Sequence, residues 1–324
     1  MRAAVVHRFG PPEHITVEDR PSPTPLADEV VVQVGAAGVN YADLLMVAGR
    51  YQIKPSLPFV PGLEFCGVVT AAGERAGRWR PGDRVMGAPI QGGCFAEQVA
   101  VPAEQLFRAP EGLPLELAAQ FVVAYGTAAF AFERADLKRG ETVLVSGAAG
   151  GVGIAAIAIA RRLGARVIAA ASSPEKLRVA KAHGAREVID YTVSDVRETV
   201  LALTEGRGVD VVLDTVGGKF FDDALRATAR RGRVLVVGFA SGSLPRIAAE
   251  YLLIKNLSVI GIGFGGILLA EPDTVRRVVD ALLALHASEP FTPEVGGRFS
   301  LEGVPTALQR LADRGVTGKQ LVLP

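Results

Sequence analysis

Four glycines in seven residues, Gly147–Gly153, form the segment of this sequence with the clearest chemical meaning. The segment follows a short apolar stretch, Thr142–Val145, and precedes an Ala- and Ile-rich stretch that reaches Leu163. This order predicts a buried strand, a tight turn and a helix ended by Gly164. Such a turn brings backbone N–H groups and a helix N-terminus to a pyrophosphate, where the helix dipole favours negative charge.

The glycine pattern resembles the G-x-G-x-x-G fingerprint of dinucleotide-binding turns, with Ala148 at its first position. Gly150 and Gly153 keep the second and third positions, where the phosphate and the helix–strand contact leave no room for a side chain. A strand, the turn, a helix and a second strand, Arg166–Ala171, follow in the required order. The sequence therefore predicts dinucleotide binding, with these residues of the turn at the phosphates: Ala149, Gly150, Gly151 and Val152.

The end of the second strand indicates which nucleotide is bound. An NAD-preferring site has an acidic residue there for the ribose 2′-hydroxyl, but this strand ends in Ala171 and continues as Ser172-Ser173-Pro174-Glu175-Lys176. Ser172 and Lys176 would donate charge-assisted hydrogen bonds to a 2′-phosphate, so we expect NADPH. The same residues also fit a plain helix N-cap with a solvated lysine.

The remaining pattern places these residues in an α/β fold. Between Thr142 and Gly261 strands alternate with helices, which predicts a doubly wound parallel sheet. Residues 1–120 resemble a β-rich region, and the elements after residue 262 are expected to return to it. We therefore predict a β-rich catalytic domain from residues 1–121 and 263–324, a nucleotide domain from residues 122–262, and an active-site cleft between them. The predicted strands of the nucleotide domain are Thr142–Ser146, Arg166–Ala171, Glu187–Ile189, Val209–Leu213, Val234–Val237 and Leu257–Ile260.

Composition excludes several other classes of protein. The formal net charge is +1 in 324 residues, with no basic stripe, so nucleic acid is not an expected partner. Two cysteines, Cys66 and Cys94, are too few for a disulfide scaffold or a cysteine-based zinc site. No signal peptide or membrane-spanning stretch is evident, so we expect a cytoplasmic protein. Cys94 lies in a glycine-rich loop and could be exposed, but nothing near it in the sequence argues for a lowered pKa.

Taken together, the sequence resembles the medium-chain dehydrogenase/reductase superfamily, and within it the zinc-independent quinone oxidoreductase (zeta-crystallin-like) branch. The resemblance runs nearly end to end and implies a Rossmann sheet inserted in a GroES-like domain. Its most specific motifs are, besides the glycine-rich turn, Val34–Asp43, Leu57–Gly67, Pro81–Val85, Ala124–Ala128 and Thr317–Lys319.

Departures from the zinc enzymes of that superfamily bear on the chemistry. Asn40 stands where those enzymes have a cysteine ligand, and Leu63 stands where the histidine of their Gly-His-Glu motif would be. A structural-zinc lobe is missing between Asp83 and Glu97. Without a Lewis acid, alcohol dehydrogenation is disfavoured, because nothing polarises the alcohol or ketone.

The resemblance also implies site residues. Asn40 and Tyr51 would border the nicotinamide and substrate, and Thr127 would lie beside the nicotinamide amide; these three are the expected catalytic residues. Asn40 and Tyr51 also fit a strand-end turn residue and a loop aromatic, respectively. Tyr191, Phe264, Gly265 and Lys319 match family positions near the cofactor. The rule that ligands lie at the carboxyl ends of parallel strands adds Thr215, Val216, Gly238, Phe239 and Ser241.

Three functions remain open from the sequence. The first is NADPH-dependent reduction of a quinone, which is already a strong hydride acceptor. The second is NADPH-dependent reduction of activated C=C bonds in alkenals, enones or enoyl thioesters, whose enolate needs a hydrogen-bond donor. The third is a non-catalytic NADPH-binding protein with a structural or regulatory role. The resemblance also implies a homodimer formed through the last strand of the nucleotide-domain sheet.

Overall fold

A computed structural model describes all 324 residues of the chain, Met1–Pro324. Its contacts divide the chain into two compact units, each assembled from separate parts of the sequence. The first unit comprises Met1–Val123, Gly265–Leu283 and Thr292–Pro324, and the second comprises Ala124–Phe264 and Ala284–Phe291.

The strands, in chain order, are β1 Arg2–Val6, β2 Ile15–Asp19, β3 Glu29–Gly38, β4 Phe65–Ala72, β5 Arg84–Gly87, β6 Gln98–Pro102, β7 Leu106–Arg108, β8 Thr142–Val145, β9 Arg166–Ala171, β10 Glu187–Asp190, β11 Val209–Asp214, β12 Thr228–Val236, β13 Ser258–Gly261, β14 Val295–Phe299 and β15 Lys319–Val322. The α-helices are α1 Tyr41–Val47, α2 Leu115–Ala118, α3 Gly126–Arg134, α4 Gly151–Arg162, α5 Pro174–Ala182, α6 Val196–Leu203, α7 Gly218–Arg226, α8 Ala249–Lys255, α9 Phe264–Ala270, α10 Pro272–Ser288 and α11 Val304–Ala312.

The first unit is mostly β. Seven strands form one sheet in the order β14-β15-β3-β4-β5-β7, with β6 paired to β3, and β1 and β2 form a separate antiparallel pair. The long strand β3 is mostly buried, and its residues Val30, Val32 and Val34 join Phe65, Trp79 and Phe95 in the main core of this unit. Since β15 pairs with β3 at Leu321↔Gly38 and Val322↔Ala37, the end of the chain closes a sheet begun near its start.

The second unit is a six-stranded sheet in the order β10-β9-β8-β11-β12-β13, and every neighbouring pair is parallel. The chain order reverses between β8 and β11, so this is the doubly wound Rossmann topology with its switch point beside β8. All four residues of β8 are buried, as in a strand covered on both faces. The expected α/β fold class is confirmed.

Several elements differ from the sequence-based expectation. The strand expected at Val234–Val237 begins at Thr228, because its polar first half pairs with Val209 through an irregular register. The strand β2 was not expected, because the alternation of apolar and polar residues in Ile15–Asp19 includes only two apolar residues, Ile15 and Val17. Helix α9, Phe264–Ala270, was also not expected, since its two glycines weaken the helical signal.

One helical stretch, Leu115–Arg134, is long and apolar enough to cross a bilayer by length and composition. About three quarters of it (72%) is buried inside the protein, as for a core helix. A π-helical turn, Phe121–Tyr125, joins its two α-helical parts.

Candidate active site

The glycine-rich turn of the second unit has the geometry that a phosphate-binding turn requires. Gly150 is the N-cap of α4, with an extended backbone at φ −85° and ψ 169°. Gly147, at φ +55°, makes the turn after β8, and its carbonyl accepts the Gly150 N–H at 2.9 Å. Ala149 is buried, whereas Gly151 and Val152 at the start of α4 are partly exposed. The first turn of a twelve-residue helix is thus left open to an anion.

Two glycines of this turn have different reasons to lack a side chain. A Cβ at Gly153 would overlap the carbonyl oxygen of Gly147 and lie 2.8 Å from Ala148 Cα, so the fold itself requires glycine there. A Cβ at Gly150 would meet only the Gly147 carbonyl oxygen, at an ordinary 3.4 Å, and the backbone angles suit any residue. The protein has no internal need for glycine at position 150, which leaves the close approach of a ligand as the physical reason.

The segment after β9 arranges hydroxyl and ammonium groups together. Ser173 caps α5, accepting the Lys176 N–H at 3.3 Å, with Pro174 in the first turn. The Lys176 Nζ donates to Ser172 Oγ at 3.1 Å. Ser173 is therefore the helix cap, and beside it Ser172 and Lys176 form a hydrogen-bonded hydroxyl and ammonium pair after a strand that ends in Ala171.

A buried carboxylate, which sequence reasoning did not single out, organises the loop after β11. Asp214 Oδ1 accepts the Ser146 hydroxyl at 2.6 Å and the Val216 N–H at 2.9 Å, and Oδ2 accepts the Gly217 N–H at 3.0 Å. Burial raises the pKa of Asp214, and these donors oppose that rise. Asp214 thereby fixes Thr215 and Val216 at the end of their strand.

The loop after β12 is tied to the same place. Ala240 N–H donates to the Thr215 carbonyl at 3.0 Å and Ser241 N–H donates to the Val216 carbonyl at 2.9 Å. Gly238, Phe239 and Ser241 are all partly exposed. The parallel sheet thus brings the ends of β8, β11 and β12, with their predicted cofactor residues, to one edge.

Three further predicted residues of the second unit belong to elements other than these two loops. Tyr191, after β10, packs edge-on against Phe220 with ring centroids 5.7 Å apart. Phe264 follows β13, is buried and packs against Phe130 at 5.6 Å. Thr127 lies in the first turn of α3 and is 7% exposed.

The first unit contains the other predicted residues, and two of them meet Glu64 in a buried ionic cluster. Lys319 Nζ donates to Asn40 Oδ1 at 2.6 Å and to Glu64 Oε1. Asn40 Nδ2 donates to Glu64 Oε1 at 3.0 Å and to the Gly38 carbonyl at 3.2 Å. Lys319, predicted near the cofactor, is only 4% exposed and is engaged by this cluster. Sequence reasoning did not foresee that Asn40, Glu64 and Lys319 join.

Asp43 adds a second carboxyl close to the cluster. It is fully buried in α1, and its Oδ2 accepts the Asn40 backbone N–H at 2.7 Å. Burial raises the pKa of Asp43 to about 7; the charge of Glu64 adds to this rise, while Lys319 and the Asn40 N–H oppose it. Near neutral pH this carboxyl is therefore partly protonated.

Tyr51 is the predicted residue of the first unit that keeps a free polar group. Its hydroxyl makes no hydrogen bond within the chain, although the ring packs partly against the core. Burial raises the pKa of Tyr51, with a further rise from Asp43, so the hydroxyl keeps its proton at neutral pH. Gly265 faces this group, because a Cβ there would lie 2.5 Å from the Tyr51 hydroxyl oxygen.

The cysteines and histidines offer no further chemistry. Cys94 is fully buried, and burial raises its pKa well above the ordinary thiol value. Its glycine-rich loop folds into the core beside Phe95 rather than leaving the thiol exposed. Nowhere in the chain do three His, Cys, Asp or Glu side chains form a group able to hold a metal ion.

Comparison with known proteins gives two family matches. Residues 26–111 match the alcohol dehydrogenase GroES-like domain, and residues 151–284 match the zinc-binding dehydrogenase domain. The quinone oxidoreductase-like protein 2 of Bos taurus is 40% identical over 91% of this chain and 84% of its own length. The quinone oxidoreductase of Pseudomonas aeruginosa is 34% identical over 98% of this chain and 97% of its own.

A solved structure extends the likeness to three dimensions. The quinone oxidoreductase of Thermus thermophilus, solved also in complex with NADPH, is 38% identical to this chain. The two superpose with a TM-score of 0.86 over the full length of both chains.

Proposed function

Because the chain belongs to the medium-chain dehydrogenase/reductase superfamily, in its quinone oxidoreductase group, we propose that it is an NADPH-dependent quinone reductase that works without zinc. The observation that carries the proposal is the turn at Gly150. The fold itself leaves room for a side chain there, so the close approach of a ligand is what explains the glycine. This turn, with Ser172 and Lys176 in place of an acid, fits a dinucleotide that bears a 2′-phosphate.

NADPH, when bound, supplies a hydride from its nicotinamide ring. The turn at Ala149–Val152 would hold the pyrophosphate, and Ser172 with Lys176 would hold the 2′-phosphate. The loops after β11 and β12, fixed by Asp214, would line the remainder of the cofactor with Thr215, Val216, Gly238, Phe239 and Ser241. Tyr191, Phe264 and Thr127 complete the proposed contacts of the second unit.

The residues of the first unit would serve the acceptor. The Tyr51 hydroxyl is unpaired and protonated, so it can donate a hydrogen bond to the acceptor oxygen as negative charge develops there. Zinc independence is supported by the chemistry of the donor set. Asn40 and Glu64, at positions that correspond to the zinc region of relatives, are engaged by the Lys319 ammonium, which repels a metal cation.

Reduction of activated C=C bonds is the second candidate, because an enolate oxygen would use the same Tyr51 donor. The acceptor panel that separates the candidates contains 1,4-benzoquinone, 9,10-phenanthrenequinone, 2-hexenal and no acceptor, with NADPH or NADH and metal-stripped protein. We expect NADPH oxidation with the quinones that survives chelation. Turnover with 2-hexenal alone would favour reduction of activated C=C bonds over quinone reduction. Tight NADPH binding without turnover would favour a non-catalytic role.

Displacement of the Tyr51 hydroxyl should lower the activity without harming the fold. Gly265→Ala places a methyl 2.5 Å from that oxygen, so the ring must move. We expect kcat with 1,4-benzoquinone to fall about a hundredfold, the loss that follows removal of one aligned donor. The matched control is Gly266→Ala in the same helix, where a Cβ meets nothing within 4 Å. Equal kcat in both variants would remove Tyr51 from the proposed role.

We also propose a cytoplasmic homodimer formed through β13. This strand pairs only with β12, so its outer edge is free, and an unpaired edge favours pairing with a second copy. Leu244, Leu253 and Ile254 in the same unit are at least 63% exposed, which supplies apolar surface for burial. Light scattering should give about twice the chain mass of 33.9 kDa. A monomer at micromolar concentration would contradict the dimer.

A further inference from the structure

The cluster of Asn40, Glu64 and Lys319 fixes the orientation of one side-chain amide, and we call it the amide clamp. The three side chains are 9%, 1% and 4% exposed, and they come from the start of α1, the residue before β4 and the start of β15. Glu64 is itself held, because its Oε2 accepts the Val123 N–H at 3.0 Å. The clamp is therefore a buried unit whose members have little freedom to rearrange.

The clamp leaves Asn40 only one stable orientation. Its oxygen faces the Lys319 ammonium, and its NH2 group faces two oxygens, those of Glu64 and Gly38. Turning the amide by 180° would direct its NH2 at an ammonium and its oxygen at a carboxylate, so both contacts would become repulsive. Asn40 thus has both N–H groups of its amide engaged.

The surroundings are adapted to this arrangement. A Cβ at Gly38 would lie 2.6 Å from Glu64 Oε1 and 2.7 Å from Lys319 Cε, so glycine is needed to admit the pair. A buried ion pair of this kind adds little stability compared with apolar residues of similar volume, because both charges are desolvated. Stability alone is therefore a weak explanation for the clamp, whereas control of amide direction accounts for each contact.

We propose that Lys319 and Glu64 are positioning residues that fix the direction of the Asn40 amide, with its oxygen toward Lys319, and that Asn40 donates no N–H to the substrate. On this assignment, which deepens the proposed reductase function, the donor to the acceptor oxygen in the first unit is Tyr51. Lys319 acts through Asn40 rather than on the cofactor.

The test uses a feature of the composition. The chain has two asparagines, Asn40 in the clamp and Asn256 on the surface at the end of α8. Selective ¹⁵N-asparagine labelling therefore gives two side-chain NH2 pairs, and Asn40→Asp identifies which is which. We expect the Asn40 amide protons to exchange with water at least about a hundredfold more slowly than those of Asn256, because both are bonded and buried. Lys319→Met should abolish that protection.

Kinetics separate positioning from stability. Lys319→Met leaves the Glu64 charge buried and unpaired, while Lys319→Met with Glu64→Gln removes both charges. We expect the double variant to regain most of the Tm lost in Lys319→Met, yet to keep a kcat about tenfold below that of the unchanged protein, with the Kd for NADPH unaltered. A double variant with full kcat and a mobile Asn40 amide would overturn the proposal.

The two hypotheses fail in different measurements. Absence of quinone turnover in the unchanged protein would refute the proposed reductase, while the amide exchange would still decide whether the clamp exists. Asn40 protons that exchange as fast as those of Asn256 would refute the clamp whatever the acceptor.

Discussion

Gly150→Ala is expected to leave the protein folded and to weaken NADPH binding by about a hundredfold, whereas Gly153→Ala is expected to destabilise the fold. At position 150 the new methyl meets nothing closer than 3.4 Å within the protein, so any loss must come from the ligand. At position 153 it overlaps the Gly147 carbonyl and crowds Ala148. Overpacking against backbone costs about 1–3 kcal/mol or more, because backbone moves less readily than a side chain.

The measurement for this pair is the Kd for NADPH by fluorescence titration, with Tm from calorimetry. Gly150→Ala should shift Kd and leave Tm within a few degrees, and Gly153→Ala should lower Tm. Unaltered NADPH affinity in Gly150→Ala would contradict phosphate binding at this turn and with it the main support for the cofactor.

The second large effect concerns pH and Asp43. Its pKa is 3.8 in a model compound and about 7 in the folded protein, where burial disfavours the charge. The folded state therefore holds a proton that the unfolded state releases. Stability from this group is complete below pH 4 and is lost as pH rises to about 7. At 1.36 kcal/mol per pKa unit, the loss is about 4 kcal/mol.

Asp43→Asn removes this titration and keeps an oxygen for the Asn40 N–H. We expect its free energy of unfolding, from urea titrations at pH 5 and pH 8, to vary less with pH than that of the unchanged protein. The free energy of unfolding of the variant, relative to that of the unchanged protein, should increase as the pH rises. Asp273→Asn, at an exposed carboxylate of α10, is the control. A parallel pH dependence in all three proteins would show that Asp43 ionises normally.

The part of the site that depends on nearby residues was predictable. The strand, glycine-rich turn and helix at Thr142–Leu163 are formed by residues that are neighbours in the sequence. The spacing of the glycines alone indicates the tight turn that the structure has between the strand and the helix. The cap at Ser173 and the helix end at Gly164 follow the same local rules.

The amide clamp was not predictable in this way, because it joins residues far apart in sequence. Lys319 and Asn40 are 279 positions apart, and their contact depends on the register of β15 against β3. A one-residue slip would turn Lys319 to the other face of the sheet. Sequence patterns give the presence of both strands but not their register, so they do not show that Lys319 meets Asn40 and Glu64.

The amide clamp also has a consequence for how the chain is made. Strands β3 and β4, with Glu64 beside them, leave the ribosome before β15 and Lys319, which lies 255 positions after Glu64. The second unit has all its strands by Gly261 and can form its sheet while synthesis continues. Until Lys319 arrives, the Glu64 carboxylate has no cation to pair with in the interior. The sheet of the first unit is thus completed after the sheet of the second, and its burial of charge waits for the synthesis of Lys319.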